Sequence, residues 1–321
     1  MLDYFFLILG LCLLFYGGNS LVKGSVSLAV KINVPKFIIA ATIIAFGTSL
    51  PELIVSIEAA TSGFPELAIG NIIGSNISNI LLVLGLPAMI SVIVVGGGNV
   101  KKEAVLTLFS AGLIIIFSIN NYISELEGGI MFFLILSFVF NSYWTNKSKN
   151  TASITNDQSD NEDLNENNNT IYIIFLIGSG LLGLFFGSDL LIKGAVGIAT
   201  RFSISSEIIG LTVVAFGTSL PELITSLIAV LKKHSELVIG NVLGSNLFNT
   251  LGVAGITALI TPIPVSNGII YFDFIVMLIT SLLLIILIVK KIDINRFFGS
   301  LLFISYLLYI WFQFYGVSGL K

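Results

Sequence analysis

The chain has 321 residues, of which 55% are hydrophobic and only 10% charged, and its net charge is −3. A water-soluble domain carries about 25% charged residues, so this composition excludes an ordinary soluble enzyme and predicts an all-α membrane protein with many spans. There is no basic excess to suit a nucleic acid. The single cysteine, Cys12, forms no intrachain disulfide and leaves the redox compartment open.

Apolar stretches of about 20 residues mark helical spans. In chain order they fall at 3–29, 35–61, 66–92, 102–120 and 124–144, then at 171–199, 206–231, 236–260, 269–289 and 296–315, about ten in all. The first lacks a basic leading segment and a small-residue cleavage site, so it reads as a span rather than a signal peptide. Residues 145–170 are rich in Asn, Asp, Glu and Ser and read as a solvated linker. The chain thus divides into 1–144, a linker at 145–170, and 171–321.

The second span carries AFGTSLPELI at 45–54, and the seventh repeats the same letters at 215–224. Each copy places a carboxylate, Glu52 or Glu222, inside an apolar run. An ionisable group at membrane depth costs roughly 2.5–3.5 kcal/mol on insertion scales and marks function. Pro51 and Pro221 donate no backbone hydrogen bond and crowd the carbonyls four residues back, at Gly47 and Gly217. The helix is expected to break or unwind there, which a bilayer tolerates only where the backbone lines a cavity or lies inside protein. Thr48, Glu52 and Ser56 are spaced to share one helix face, as are Thr218, Glu222 and Ser226. Carboxylate, hydroxyl and loosened carbonyl oxygens together suit a hard cation such as Ca²⁺ or Na⁺. The plainer alternative, a structural carboxylate paired with a lysine, would have to arise twice at equivalent positions.

The third span contains Gly70-Asn71-Ile72-Ile73-Gly74-Ser75-Asn76 and then Asn79. The eighth contains Gly240-Asn241-Val242-Leu243-Gly244-Ser245-Asn246 and then Asn249. Asn71, Ser75 and Asn79 recur every four residues, as do Asn241, Ser245 and Asn249. These stripes are expected to face the glutamate-bearing spans, with Asn76 and Asn246 beside them. Gly70 and Gly74 also form a GxxxG pattern, so helix packing alone is the plainer reading. Elsewhere, Glu103 and Asp273 suit helix N-termini, and Asp189 and Lys193 suit a pair within one helix. One histidine, His234, makes a zinc site or a Ser-His pair a poor reading.

The matches run through both halves at an offset of about 170 residues. Five spans per half mean that the second half enters from the opposite side. Two inverted-topology five-helix repeats are a build of secondary transporters, whose site lies at the repeat interface near the midplane. Lysines concentrate in the loops after odd-numbered spans, Lys101, Lys102, Lys232, Lys233, Lys290 and Lys291 among them, whereas the loops after even-numbered spans hold Arg201 alone. The positive-inside rule then puts the linker in the cytoplasm and both termini outside.

The paired AFGTSLPE and GNxxGSN blocks resemble the two α-repeats of the Ca²⁺/cation antiporter superfamily, especially its prokaryotic Na⁺/Ca²⁺ exchanger-like members. The likeness covers both halves and leaves out only the linker. It implies ten spans, with helices 2, 3, 7 and 8 forming the ion-binding core and spans 1 and 6 sliding across the rest. It implies Glu52 and Glu222 as central Ca²⁺ ligands. Thr48, Ser49, Ser75, Thr218, Ser219 and Ser245 would supply side-chain oxygens. The carbonyls of Ala45 and Ala215 would serve flanking Na⁺ sites, and Asn79 and Asn249 would line the centre. Some members carry an aspartate at one of these last two positions; this chain has asparagine at both.

The resemblance implies an antiporter that exchanges Na⁺ for Ca²⁺ by alternating access in a bacterial or archaeal cell membrane. Its partners would be these ions and the lipid bilayer, with no cofactor and no enzymatic activity. The alternative is an antiporter of H⁺ against Ca²⁺ or another divalent cation, using the same glutamate pair. A passive channel fits poorly with an inverted repeat and broken helices. An intramembrane enzyme would need an aspartyl pair or a Ser-His arrangement within the spans, and the sequence has neither.

Overall fold

The structure is a computed structural model, and it describes residues 2–95, 100–149, 169–202, 215–265 and 272–315. Apolar runs with few charges satisfy their backbone groups internally, and so they are helical. The first half opens with α1 (Leu2–Lys31). A segmented run follows: α2 (Lys36–Ile39), a π-helical stretch over Ala40–Ile44, α3 (Ala45–Thr48) and α4 (Leu50–Thr61). Next come α5 (Pro65–Ser78), a π-helical stretch over Asn79–Val83, and α6 (Gly85–Ile90). The half closes with α7 (Val100–Phe117) and α8 (Glu125–Lys149).

The second half repeats this order. It has α9 (Thr170–Arg201), α10 (Ala215–Thr218) and α11 (Leu220–Leu231). Then come α12 (Ser235–Leu247), a π-helical stretch over Phe248–Val253, and α13 (Ala254–Ile260). It ends with α14 (Phe274–Val289) and α15 (Arg296–Tyr315). Two short strands, β1 (Tyr122–Ile123) and β2 (Ile263–Pro264), pair antiparallel. Among the described residues, seven helices are long and apolar enough to cross a membrane, and Leu220–Leu231 and Phe274–Val289 are shorter apolar helices. Large side chains such as Phe5, Phe133, Phe140, Ile174 and Phe297 point outward, as a hydrocarbon surround permits.

The helices fall close to the expected spans, with one correction. The fifth helix does not stop at residue 144 but runs to Lys149, into the segment expected to be linker. Once a helix is formed, each further residue adds a hydrogen bond at little cost, so polar residues beyond an apolar run can continue it. Residues 150–168 of the predicted linker lie outside the described residues. So do 203–214 and 266–271, where the predicted seventh and ninth spans begin.

Packing positions the centre. α1 and α9 lie antiparallel along most of their length, with Gly10 against Gly187, Gly17 against Gly180 and Gly194 against Leu7. The approach is close enough that a methyl group added at Gly17 would sit 2.6 Å from the Leu184 backbone nitrogen. At one end of the pair Asp3 forms an ion pair with Arg201, and at the other Lys31 donates to Thr170 at 2.5 Å.

The remaining contacts come in matched sets. α8 packs on α13 as α15 packs on α6, and α7 packs on α14. The strand pair of β1 and β2 is matched by a bridge between Ile93 and Ile294. The GxxxG pattern works as a packing surface in only one half. A methyl at Gly240 would lie 2.5 Å from the Phe37 carbonyl, and one at Gly244 would run into the Ala41 carbonyl, whereas methyls at Gly70 and Gly74 would meet nothing within 4 Å.

Candidate cation site

Both AFGTSLPELI copies break at the serine. Ser49 has φ −84° and ψ 4°, and Ser219 has φ −83° and ψ 1°, so each ends one short helix and precedes the next. The break is a single residue rather than an unwound stretch. The Ser49 amide still donates to the Ala45 carbonyl at 3.0 Å, and the Leu53 amide donates to the Ser49 carbonyl at 3.2 Å. Pro51 and Pro221 then occupy the first turn of α4 and α11, where a missing N–H costs nothing. The same first turns hold Glu52 and Glu222, where the helix dipole favours negative charge.

This geometry corrects one expectation. Thr48 and Glu52 do not share the face of a continuous helix, because the break at Ser49 puts Thr48 on α3 and Glu52 on α4. Tertiary packing brings their neighbourhoods together instead. The Ser49 hydroxyl donates to the Glu222 carboxylate of the other half at 3.3 Å. The Thr48 hydroxyl lies 3.4 Å from the amide oxygen of Asn241, also in the other half. Thr48 and Ser245 stand near the Glu222 carboxylate and Ser75 near that of Glu52, and the two carboxylates are close enough to repel one another.

The asparagine stripes also reach across. Asn79 donates to the Asn246 amide oxygen at 3.0 Å, and Asn246 donates to the Asn76 carbonyl at 3.3 Å. Asn76 donates back to the Ile72 carbonyl at 2.9 Å. Within the first half, Asn71 donates to the Glu52 carbonyl at 3.2 Å and to the Ser56 hydroxyl at 3.0 Å, tying α5 to α4. Its counterpart Asn241 makes no such pair, and its amide nitrogen has no hydrogen-bond partner.

The centre is closed to solvent. Glu52 and Glu222 are 1% and 0% exposed, and Thr48, Thr218, Ser49, Ser219, Ser75, Ser245, Asn79 and Asn249 are buried with them. One carboxylate oxygen of each glutamate, the hydroxyls of Ser219, Ser226 and Ser245, and both polar atoms of Asn249 have no hydrogen-bond partner. Buried polar atoms without partners are uncommon, and each calls for a physical reason. These are hard oxygen donors of the type that bind Na⁺ and Ca²⁺. No group of three or more His, Cys, Asp and Glu side chains occurs among the described residues, so the charged donors here are two acids supplemented by neutral oxygens.

Ala45 closes the π-helical stretch, and its carbonyl lies 3.4 Å from the Thr48 hydroxyl. Ala215 is the first residue of α10. Sequence reasoning missed the π-helical stretches that begin at Ala40, Asn79 and Phe248; such turns are frequent at functional sites. It also missed Ser188 of α9, whose hydroxyl donates to the Gly217 carbonyl at 2.7 Å. Gly217 is the residue whose carbonyl Pro221 cannot serve. The available signal was a serine in an apolar span whose repeat partner, Gly18, has no side chain. The expected Asp189–Lys193 pair forms at 2.7 Å. Asp273 precedes α14 as expected, and its carboxylate accepts from Tyr309 and Gln313.

Comparison with known proteins identifies the arrangement. The profile of the family described as "Sodium/calcium exchanger protein" matches residues 2–144 and 172–315. The chain belongs to the sodium/calcium exchanger family. Within this family it is 38% identical to an uncharacterized membrane protein of Methanocaldococcus jannaschii, over 95% of this chain and 96% of the relative. It is 30% identical to the sodium/calcium exchanger MaX1 of Methanosarcina acetivorans, over 98% and 99% of the two chains. Its fold superposes on the sodium-calcium exchanger NCX_Mj, solved after soaking with Na⁺ and Sr²⁺, with a TM-score of 0.83 and 35% identity over 96% of this chain and 97% of that one. The exchanger-family chain is thus an integral membrane protein of a transporter family.

Proposed function

We propose that this chain is a secondary antiporter exchanging Na⁺ for Ca²⁺, with Glu52 and Glu222 as the shared Ca²⁺ ligands. The observation that carries the reading is the pair of carboxylates buried where the halves meet, each with an unpaired oxygen, and linked across the halves by Ser49. Two carboxylates match the charge of one Ca²⁺, and their mutual repulsion is relieved when a cation sits between them. Thr48, Ser49, Ser75 and their counterparts Thr218, Ser219 and Ser245 complete the oxygen shell. The carbonyls of Ala45 and Ala215 serve flanking Na⁺, and Asn79 and Asn249 line the centre.

The ten spans form two inverted five-helix repeats, at 1–144 and 171–321. The antiparallel packing of α1 on α9 supports this reading, because equivalent helices of the two halves run in opposite directions. The matched contacts of α8 with α13 and α15 with α6 support it too. The termini face outward and the 145–170 linker faces the cytoplasm, as the lysine bias indicates. Na⁺ drives Ca²⁺ movement because the two compete for overlapping oxygens, and coupling follows from their different affinities for the alternate states.

The second reading replaces Na⁺ with H⁺, since the glutamates that bind Ca²⁺ also bind protons. The deciding experiment is ⁴⁵Ca²⁺ uptake into proteoliposomes driven separately by a Na⁺ gradient and by a H⁺ gradient. Uptake under the Na⁺ gradient is the expected result. Uptake under the H⁺ gradient alone would replace Na⁺ as the coupling ion.

A further inference from the structure

The two halves share a motif but not an environment. Residue 18 of α1 and residue 188 of α9 are equivalent in the repeat, yet one is glycine and the other serine. Ser188 is 2% exposed, and its hydroxyl donates to the Gly217 carbonyl at 2.7 Å. That carbonyl stands four residues before Pro221 and has lost its helical donor. Gly18 has no hydroxyl to offer the equivalent carbonyl of Gly47.

The seating of the α1/α9 pair is one-sided in the same sense. α1 lies against α11, so that a methyl at Gly18 would be 2.7 Å from Ile228 Cδ1 and 3.1 Å from Ile224 Cγ2. Ile224 is 6% exposed beneath it. Its counterpart Ile54 on α4 is 46% exposed, so α9 does not cover α4 in the matching way.

We propose that Ser188 is a positioning residue that latches the α1/α9 pair to the broken helix of the second half and biases the protein toward the arrangement seen here. The proposal rests on the alternating-access reading above, in which the pair moves and the halves exchange environments. In the exchanged arrangement α9 covers α4, α1 withdraws from α11, and residue 18 faces the Gly47 carbonyl. The hydrogen bond cannot be remade there, because Gly18 has no side chain. The Ser188 side chain would also have to fit against Ile54 and Glu58, at a place where its counterpart Gly18 fits against Ile224 and Ile228 without one. Both differences disfavour the exchanged arrangement, and both trace to this one pair of positions.

The test reads the arrangement directly and needs no transport. In a Cys12→Ser background, Ile224→Cys and Ile54→Cys are labelled separately with N-ethylmaleimide in the purified full-length chain. Position 54 labels faster than position 224 in the presence of Ser188. Ser188→Ala raises labelling at 224 relative to 54 by about fivefold, the worth of one ordinary hydrogen bond. Ser188→Thr keeps the hydroxyl and leaves the ratio near its starting value. Transposing the pair, Gly18→Ser with Ser188→Gly, reverses the order of the two rates.

A ratio unmoved by Ser188→Ala would overturn the latch. So would an equal rise at both positions, which marks general loosening rather than an exchange of arrangements. Wild-type ⁴⁵Ca²⁺ uptake run alongside separates the two readings. Uptake with an unmoved ratio removes the latch alone, whereas absent uptake with a shifted ratio removes the transport reading and leaves the latch.

Discussion

Ser49 of the first half donates its hydroxyl to Glu222 of the second half across 3.3 Å. The mirrored bond, from Ser219 to Glu52, is not made, and the Ser219 hydroxyl has no partner. A hydrogen bond of this kind contributes about 0.5–1.5 kcal/mol net. Ser49→Ala therefore lowers the thermal stability of the cation-free protein measurably, and Ser219→Ala lowers it much less. Melting curves recorded in chelator compare the two variants. Equal losses would mean that the cross-half bond contributes nothing specific.

The glutamates give a larger effect. Glu52→Gln and Glu222→Gln keep the shape of the side chain and remove one of two negative charges from a buried centre. Each substitution is expected to reduce Ca²⁺ exchange by about 100-fold or more, since a desolvated charge-to-ion contact is worth several kcal/mol. ⁴⁵Ca²⁺ uptake by purified variants with normal elution and melting behaviour checks this. Near-normal exchange by either would remove the central claim.

Much of the site was legible because hydropathy and repetition are local properties of the letters. Glu52 and Glu222 stood out as charges within apolar runs, and the duplicated motif located both helix breaks to within two residues. What the letters could not show is the difference between the copies. Thr48, Ser49 and Glu52 are matched by Thr218, Ser219 and Glu222, yet Ser49 donates to the glutamate of the other half while the Ser219 hydroxyl has no partner. Asn71 ties α5 to α4, while Asn241 turns its amide oxygen toward Thr48. Identical sequences cannot specify different environments by themselves; the asymmetry belongs to the conformational state of the whole chain. The π-helical stretches were hidden for a related reason, since an extra residue in a helical turn leaves no mark on apolar periodicity.

The same asymmetry predicts unequal responses from equivalent glycines. Gly244 packs against the Ala41 backbone, whereas Gly74 has open space where a methyl would go. Gly244→Ala forces backbone apart and costs about 1–3 kcal/mol, as overpacking does. Gly74→Ala leaves stability within about 0.5 kcal/mol of the parent. Thermal unfolding of the two variants in detergent tests this. Equal destabilisation would mean that the two GxxxG motifs pack alike.

The topology carries its own test. Ser159 lies in the polar segment between the halves, which the proposed topology places in the cytoplasm. With Cys12 replaced by serine, Ser159→Cys is expected to react with an impermeant maleimide only after the membrane is opened. Labelling of intact cells would invert the orientation of the whole chain.

The last prediction concerns protons. Asn79 and Asn249 are neutral, so Glu52 and Glu222 are the acids at the centre. In the proposed site, a proton on either carboxylate would occupy an oxygen that Ca²⁺ needs and remove part of the charge that attracts it. Protons and Ca²⁺ therefore compete, and linkage sets the sign: lowering pH raises proton occupancy and weakens apparent Ca²⁺ affinity. The loss is at most about tenfold per pH unit for each proton displaced. Because the two carboxylates feel one another, the profile is expected to follow the pair rather than two separate acids. Saturating Ca²⁺ displaces the protons, so the maximal rate changes less than the affinity. Asn249→Asp adds a third acid beside the pair, and if it ionises it strengthens cation binding and alters the Na⁺ dependence. Exchange measured against Ca²⁺ concentration at several pH values decides the main point. A half-saturating Ca²⁺ concentration that stays constant from mildly acidic to neutral pH, while only the maximal rate falls, would mean that these carboxylates are not where Ca²⁺ binds.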